Sequence, residues 1–396
     1  MPHAKHKSWM TPAVLGIAFA TFFSDVGHEM VTAALPIYLG SVGLGAAALG
    51  AMEGLADLMF SLSKLLGGWV GHRSSRKRLW GSAGYLLTAV GTSAMALTQG
   101  LLALVSLRAA AWFGRGFRSP LRDFLLADEV GPTHFGRAYG LERAADMLGA
   151  VAGPLLAASF LWSGLEVRTI LLFSIVPSFL AVAFFFSSTR DAPPSPSATA
   201  TAASRVLPRR FWLFCVGVGL FGLGDFSRTF LIFTAARVFG EGGQIAPGSL
   251  SIAMLLYAAH NLMSALAAYP AGYLGDRRSK LGVLIAGYAL GCLTNGLFAF
   301  ASTSPALLVL AILLSGIYIA VEETLEKAAA VDMLEREQRS LGLGILAAAN
   351  AAGDMLSSVL VGLLLHAGYL RLAFAIPAGF GLLGTAWMLF MRRRLR

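Results

Sequence analysis

The chain has 396 residues, 56% of them hydrophobic and only 13% charged, with a formal net charge of +10. A soluble domain carries about 25% charged residues, and apolar runs of about 20 residues, enough to cross a bilayer, recur along the whole length, which excludes a large soluble helical protein. The excess Lys and Arg sit in short clusters between apolar runs rather than on one face of a folded domain, which excludes a nucleic-acid binder.

Twelve apolar segments are expected to cross the membrane as helices, because backbone polar groups in hydrocarbon must be satisfied within their own segment. The first, 11–39, follows "MPHAKHKSWM". It is too long for a signal peptide and lacks a clear small-residue cleavage site, so it is read as a retained span. It carries Asp25, His28 and Glu29, which share one helix face because residues three and four apart are neighbours. Segment 45–70 carries Glu53 and Asp57, one turn apart, and ends at "GWVGHRSSRKR", with Gly68, His72 and Arg73. Two acids so close repel when both are ionised, which favours a proton on one of them. Segment 79–99 follows. Segment 101–122 has Arg108 at its middle and Arg115, Arg118, Arg122 and Asp123 at its inner end. Segment 137–162 holds Asp146 and "GAVAGPLL", with Gly153 and Pro154, and segment 168–188 closes the first half.

A Pro-, Ser-, Ala- and Thr-rich stretch without apolar periodicity comes next and reads as a flexible linker. It gives three units: a six-helix bundle over 1–188, a cytoplasmic linker over 189–209 and a second six-helix bundle over 210–396. Segment 210–236 carries Asp225 and Arg228. Segment 249–275 carries His260 and Asn261 and leads into "GYLGDRRSK", with Gly272, Asp276 and Arg277. Segments 281–302, 305–328, 340–365 and 371–391 complete the chain. Glu322, Glu323, Glu326 and Lys327 lie at the inner end of 305–328, and Asp354 lies within 340–365.

Lys and Arg alternate between connections: one set is rich in them, the other holds only Arg168, Arg237 and Arg371. By the positive-inside rule this places both termini in the cytoplasm. The halves also repeat. The two glycine-rich loops, and "SPLRDFLLAD" with "ETLEKAAAVD", recur at an offset of about 204 residues, and "AADML" at 144–148 is echoed by "AGDML" at 352–356. Like-oriented repeats imply a pseudo-two-fold axis along the membrane normal. Arg118 then aligns with Glu322 and Arg122 with Glu326, opposite signs suited to bridges between the halves that close an inner gate.

With these motifs the chain resembles the major facilitator superfamily over its full length. "GYLGDRRSK" is similar to that superfamily's signature loop, and "GWVGHRSSRKR" matches except that His72 stands where Asp is usual. The resemblance implies twelve helices rocking about a midplane site, and a clamp role for Asp276. It also implies that spans three, six, nine and twelve face lipid, and their interiors hold no Asp, Glu, Lys, Arg or His. Gly153–Pro154 resembles the motif of the superfamily's antiporters. "SDVGHEMVTAALPIYL" with "GRGFRSPLRDFLLAD" resembles a prokaryotic permease subgroup with some nickel-resistance-linked relatives. That subgroup usually has small hydroxyl residues at the positions of Gly27 and His28.

Intramembrane ionisable residues are functional candidates by default. Asp25, His28, Glu29, Arg108, Asp225, Arg228 and His260 are the expected substrate ligands, and Asp25, Glu29, Glu53 and Asp57 the expected proton carriers. Gly68, His72, Arg73, Arg118, Arg122, Asp146, Gly153, Pro154, Gly272, Asp276, Arg277, Glu322, Glu326 and Asp354 are the expected gate. The reading is a monomeric secondary transporter of a prokaryotic inner membrane, not an enzyme. Its partners are the lipid bilayer, a proton and a small-molecule or ion substrate. Proton-coupled antiport of a small cationic or neutral solute is the expected activity. No nucleotide-binding Gly-x-x-x-x-Gly-Lys-Ser/Thr stretch is present. Cys215 and Cys292 have no metal-thiolate spacing, so no cofactor is expected. Divalent metal export is a second reading, in which His260, Asp225 or Glu53 would complete a site begun by Asp25, His28 and Glu29. A lipid-handling or non-transport membrane protein is a third.

Overall fold

The computed structural model describes residues 9–44, 46–191, 206–240, 247–300 and 304–394. The expected linker lies mostly outside the described residues. The chain divides into two compact units, residues 1–198 and 199–396, and no strand occurs among the described residues.

In the first unit the helices are α1 (Pro12–Ser41), α2 (Ala46–Arg73), α3 (Lys77–Ala94), α4 (Leu101–Glu129), α5 (Phe135–Trp162), α6 (Val167–Phe173) and α7 (Ile175–Ser188). The Thr11 hydroxyl opens α1 by accepting from the Val14 amide at 3.3 Å, and Pro12 takes the first turn, where no amide is needed. α6 and α7 together form the sixth span. Within the unit α2 lies along α4, and α1 lies along α5 and α7.

The second unit holds α8 (Arg209–Gly222), α9 (Thr229–Val238), α10 (Pro247–Arg277), α11 (Lys280–Phe300), α12 (Pro305–Met333), α13 (Arg339–His366) and α14 (Leu370–Arg394). Each of the twelve expected segments therefore corresponds to one helix or a broken pair. The repeat is visible in the backbone. Gly164 and Gly368, 204 residues apart, both take positive φ and end α5 and α13. Each is followed by an amide that bonds back into the finished helix: Leu165 to the Phe160 carbonyl and Tyr369 to the Leu364 carbonyl, as in a Schellman cap.

Eight of the spans are long and apolar enough to cross a membrane on composition alone. α2, α3 and α4 fall short, and the seventh span does because it is not continuous. Hydropathy predicts an unbroken helix over 210–236. The backbone instead leaves the helix between Gly222 and Thr229. Gly222, Gly224, Asp225 and Ser227 crowd this stretch, and all are poor helix formers.

Candidate functional site

In the first unit, α1 and α4 run antiparallel and are joined by a ladder of long polar side chains. Arg122 donates to the Thr21 hydroxyl at 3.4 Å, and Arg118 to the Ser24 hydroxyl at 2.7 Å. Arg115 pairs with Asp25. His28 meets Trp112 edge to face with ring centroids 4.8 Å apart, and Arg108 donates to the Thr32 hydroxyl at 3.2 Å. Each step along α1 is matched by a step back along α4. Spacings of seven, three and four residues keep the four arginines on one side of α4. Arg118 is further held over the Tyr85 ring at 3.8 Å.

Acids from neighbouring helices close the ladder. Glu53 of α2 accepts from Arg108 through both carboxylate oxygens, at 3.1 and 3.2 Å, and Arg108 is fully buried. Arg122 pairs with Asp123 at 2.9 Å and with Glu142 of α5 at 2.8 Å. Asp146 of α5 is bound by Arg143 at 2.6 Å and reached by Arg115 at 3.6 Å. Asp25 and Asp146, on different helices, are thus brought to one guanidinium, that of Arg115. Two carboxylates are acceptors only, so neither satisfies the other unless one of them carries a proton.

Glycine sets how closely α5 approaches this node. A Cβ on Gly149 would lie 2.5 Å from the Phe22 carbonyl oxygen, and one on Gly153 2.7 Å from that of Val26. Small residues four apart admit such backbone contact between membrane helices. Pro154 lies inside α5 just beyond it.

Several buried atoms at the node find no hydrogen-bond partner in the structure: Asp25 Oδ2, both ring nitrogens of His28, Arg108 Nη1 and Trp112 Nε1. His28 is only 1% exposed. The polar stripe expected on α1 is thus divided. Asp25 and His28 turn into the unit, while Glu29 is half-buried beside Gly153. Asp57, expected to act with Glu53, is exposed, whereas Glu53 is committed to Arg108.

In the second unit the break in the seventh span gathers the functional candidates. Asp225 accepts from the Phe226 amide at 2.9 Å and from the Tyr318 hydroxyl at 3.0 Å. Asn295 of α11 donates to the Gly224 carbonyl at 2.7 Å, and Ser358 of α13 accepts from the Ser227 amide at 2.9 Å. Side chains of α11 and α13, with that of Asp225 itself, thereby satisfy freed backbone groups, the condition for irregular backbone at membrane depth. Asp225 and Arg228 would be neighbours on a continuous helix. The break separates their roles, and Arg228 pairs instead with Glu323 at 2.7 Å. His260 is buried, with Nδ1 2.7 Å from the Ser315 hydroxyl.

The expected gate residues have partners within their own unit. Arg118 and Arg122 are held as described, Glu322 accepts from Asn350 at 3.3 Å, and Glu326 accepts from the Tyr288 hydroxyl. Asp354 lies beside Gly222. Lys280 reaches Asp276 at 3.8 Å and Asp332 at 3.1 Å, tying the loop after α10 to the end of α12. Gly68 and Gly272 are buried and His72 is exposed. Arg73 covers Trp69 at 4.5 Å, and Arg277 covers Tyr273 at 4.7 Å. Among the described residues no three His, Cys, Asp or Glu side chains converge as a metal site requires.

Sequence reading did not single out Arg143, Glu142, Trp112, Tyr288, Tyr318, Asn295 or Asn350, and it left Arg115 as an inner-end charge. Only Arg115 carried a usable signal, since it lies two turns from Arg108 on the same face.

The sequence pattern of the Major Facilitator Superfamily matches residues 17–257 and 226–396. The chain belongs to the Major Facilitator Superfamily. An uncharacterised MFS-type transporter of Methanocaldococcus jannaschii is 26% identical over 351 residues, covering 88% of this chain and 87% of the relative. Among solved structures, a bacterial homologue of the iron transporter ferroportin superposes with a TM-score of 0.75 at 16% identity, covering 96% of this chain and 99% of the homologue. The fucose:proton symporter of E. coli superposes with a TM-score of 0.73 at 12% identity, over 97% and 99% of the two chains. This major facilitator is accordingly a multi-pass membrane transporter with the two-halved fold of its superfamily, and it is not an enzyme.

Proposed function

We propose that this major facilitator is a proton-coupled antiporter that exports a small cationic or neutral solute across a prokaryotic inner membrane, with both termini in the cytoplasm. The observation that carries the reading is the Asp25–Arg115–Asp146 node, where one arginine reaches two carboxyls of different helices. With Arg143 the node has two acids and two bases, so its charges balance when both acids are ionised. A proton taken up between Asp25 and Asp146 leaves one excess positive charge. A cationic substrate nearby is then repelled, and its departure or the proton's restores neutrality. That mutual exclusion is the requirement for exchange, and alternating access carries each ligand to the opposite side.

The substrate end of the node is marked by the unmatched atoms of His28, Arg108 and Trp112. Trp112, with Phe60 edge-on at 5.1 Å, supplies an aromatic wall of the kind that attracts organic cations. Purified protein in liposomes, with a pH-sensitive dye inside and an imposed proton gradient, tests the proposal. A panel of organic cations should include one that drives proton flux, and Asp25→Asn should abolish that flux. Folded protein that moves no proton with any compound defeats it.

Divalent metal export is the second reading, favoured by the unpartnered imidazole of His28 beside Asp25. It requires residues to move, since Arg115 occupies one oxygen of Asp25. Under that reading His28→Ser abolishes metal resistance in cells, and retained resistance removes it.

A further inference from the structure

The second unit contains a chain of buried acids for which the node of the first unit has no use. On α12, Tyr318, Glu322 and Glu326 follow at intervals of four residues and occupy one face. Glu322 is 1% exposed and Glu326 4%. Glu322 Oε1 accepts from Asn350 of α13, and its Oε2 has no hydrogen-bond partner. The charged groups around Glu322, Glu326 and Asp225 are mostly acids. α12 itself supplies Glu323, Glu326 and Lys327, the broken seventh span supplies Asp225 and Arg228, and α13 supplies Asp354. α11 supplies the Tyr288 hydroxyl, which donates to Glu326. α10 contributes His260, whose Nδ1 bonds to Ser315, about two turns from Glu322 on α12. Arg228 is bound to Glu323, and no ion pair to Glu322 or Glu326 occurs among the described residues.

A buried carboxylate with no cation beside it is expensive in a low-dielectric interior. One way to offset that cost is an inorganic cation. Such an ion needs several oxygen ligands aimed at one point, yet the groups bonded to these carboxylates are donors, an amide N–H and a phenol O–H. The other way is a proton, which removes the charge and converts the unmatched Oε2 acceptor into an O–H donor.

We propose that Glu322 is a proton-binding site of the second unit, separate from the Asp25–Asp146 node, with Glu326 one turn away as its exchange partner. Binding is the simple addition of H⁺ to the carboxylate to give the carboxylic acid. Asn350 and Tyr288 orient the two carboxyls and do not themselves exchange protons. The site stands without the antiport reading, because it rests on residues of α12 and their neighbours alone.

The test uses the full-length protein in liposomes and dicyclohexylcarbodiimide, which modifies protonated carboxyls in apolar surroundings. Peptide mapping by mass spectrometry should find the adduct on Glu322 in the unmodified sequence. Its yield should fall several-fold from acidic to alkaline pH, and Asp25→Asn should leave it unchanged. Glu322→Gln should remove it. Labelling of Glu326 without Glu322, or no label within residues 305–333, overturns the assignment. So does protection by sodium chloride at fixed pH where choline chloride gives none, because a metal cation would then hold the place given to the proton. If antiport fails while Glu322 still labels with pH, only the proposed function is lost.

Discussion

Arg108 and Glu53 meet as a two-point pair, with two nitrogens of the guanidinium donating to both oxygens of the carboxylate. The arginine is wholly buried, whereas about a third of the Glu53 side chain remains accessible (34%). Removing a buried charge's partner costs about 3–5 kcal/mol, and the accessibility of Glu53 brings this down towards 1–2 kcal/mol because water screens it. Glu53→Gln is therefore expected to lower the detergent melting temperature modestly while keeping the protein folded. Arg108→Lys should be worse than its charge suggests, because an ammonium cannot hold both oxygens and Thr32 at once. Thermal unfolding of the two variants in one detergent checks the order.

Asp25→Asn and Asp146→Asn should have the same phenotype although they lie on different helices. Under the antiport proposal each removes one of the two carboxyls between which the proton is taken up. Proton-driven accumulation of substrate should be lost in both, while exchange of labelled for unlabelled substrate continues, since exchange needs no net proton movement. Parallel assays of the two activities decide it. Loss of exchange as well would mean that the acids bind substrate rather than protons.

Gly149 and Gly153 admit the backbone of α1, so any side chain there must push α5 away. Gly153→Val is expected to destabilise by roughly 1–3 kcal/mol, the usual cost of overpacking. Gly296 has nothing within 4 Å of a would-be Cβ. Gly296→Ala in α11 should thus stabilise by about 0.5–1 kcal/mol through lower backbone entropy in the unfolded chain. Opposite shifts in melting temperature are the expected result.

His28 touches Trp112 edge to face, a contact worth about 0.5–1.5 kcal/mol. Under the antiport proposal, His28→Ser should change which substrates are taken more than whether protons move. A substrate panel measured with the dye assay separates the two.

Much of the fold was legible because membrane helices announce themselves by length and apolarity, and because the glycine-rich loops after the second and eighth spans share a spacing. The polar ladder was only half legible. Arg115, Arg118 and Arg122 read as charges where a span ends at 122, whereas α4 continues to Glu129 and carries them inside the bundle. Thr21 and Ser24, which accept from Arg122 and Arg118, and Thr32, which accepts from Arg108, are hydroxyls, which a search for charges passes over. The break in the seventh span was hidden because hydropathy measures side chains and is indifferent to the path of the backbone. For the same reason Asp225 and Arg228, three residues apart, are placed on one helix face by their spacing. Helical spacing does not hold across a stretch that is not helical.

The arginines of α4 also bear on how the protein is made. A helix entering the bilayer alone meets a cost of roughly 2.5–3.5 kcal/mol for each arginine near its centre, and α4 carries four along its length. Glu142 and Asp146 come later on α5, but the other acceptors on neighbouring helices, Thr21, Ser24, Asp25, Thr32 and Glu53, are on α1 and α2, which leave the ribosome first. Stable insertion of α4 thus requires that α1 and α2 remain beside the translocon to receive it. Truncated nascent chains ending after α4 should integrate that helix, and the same helix presented in isolation should pass through to the other side.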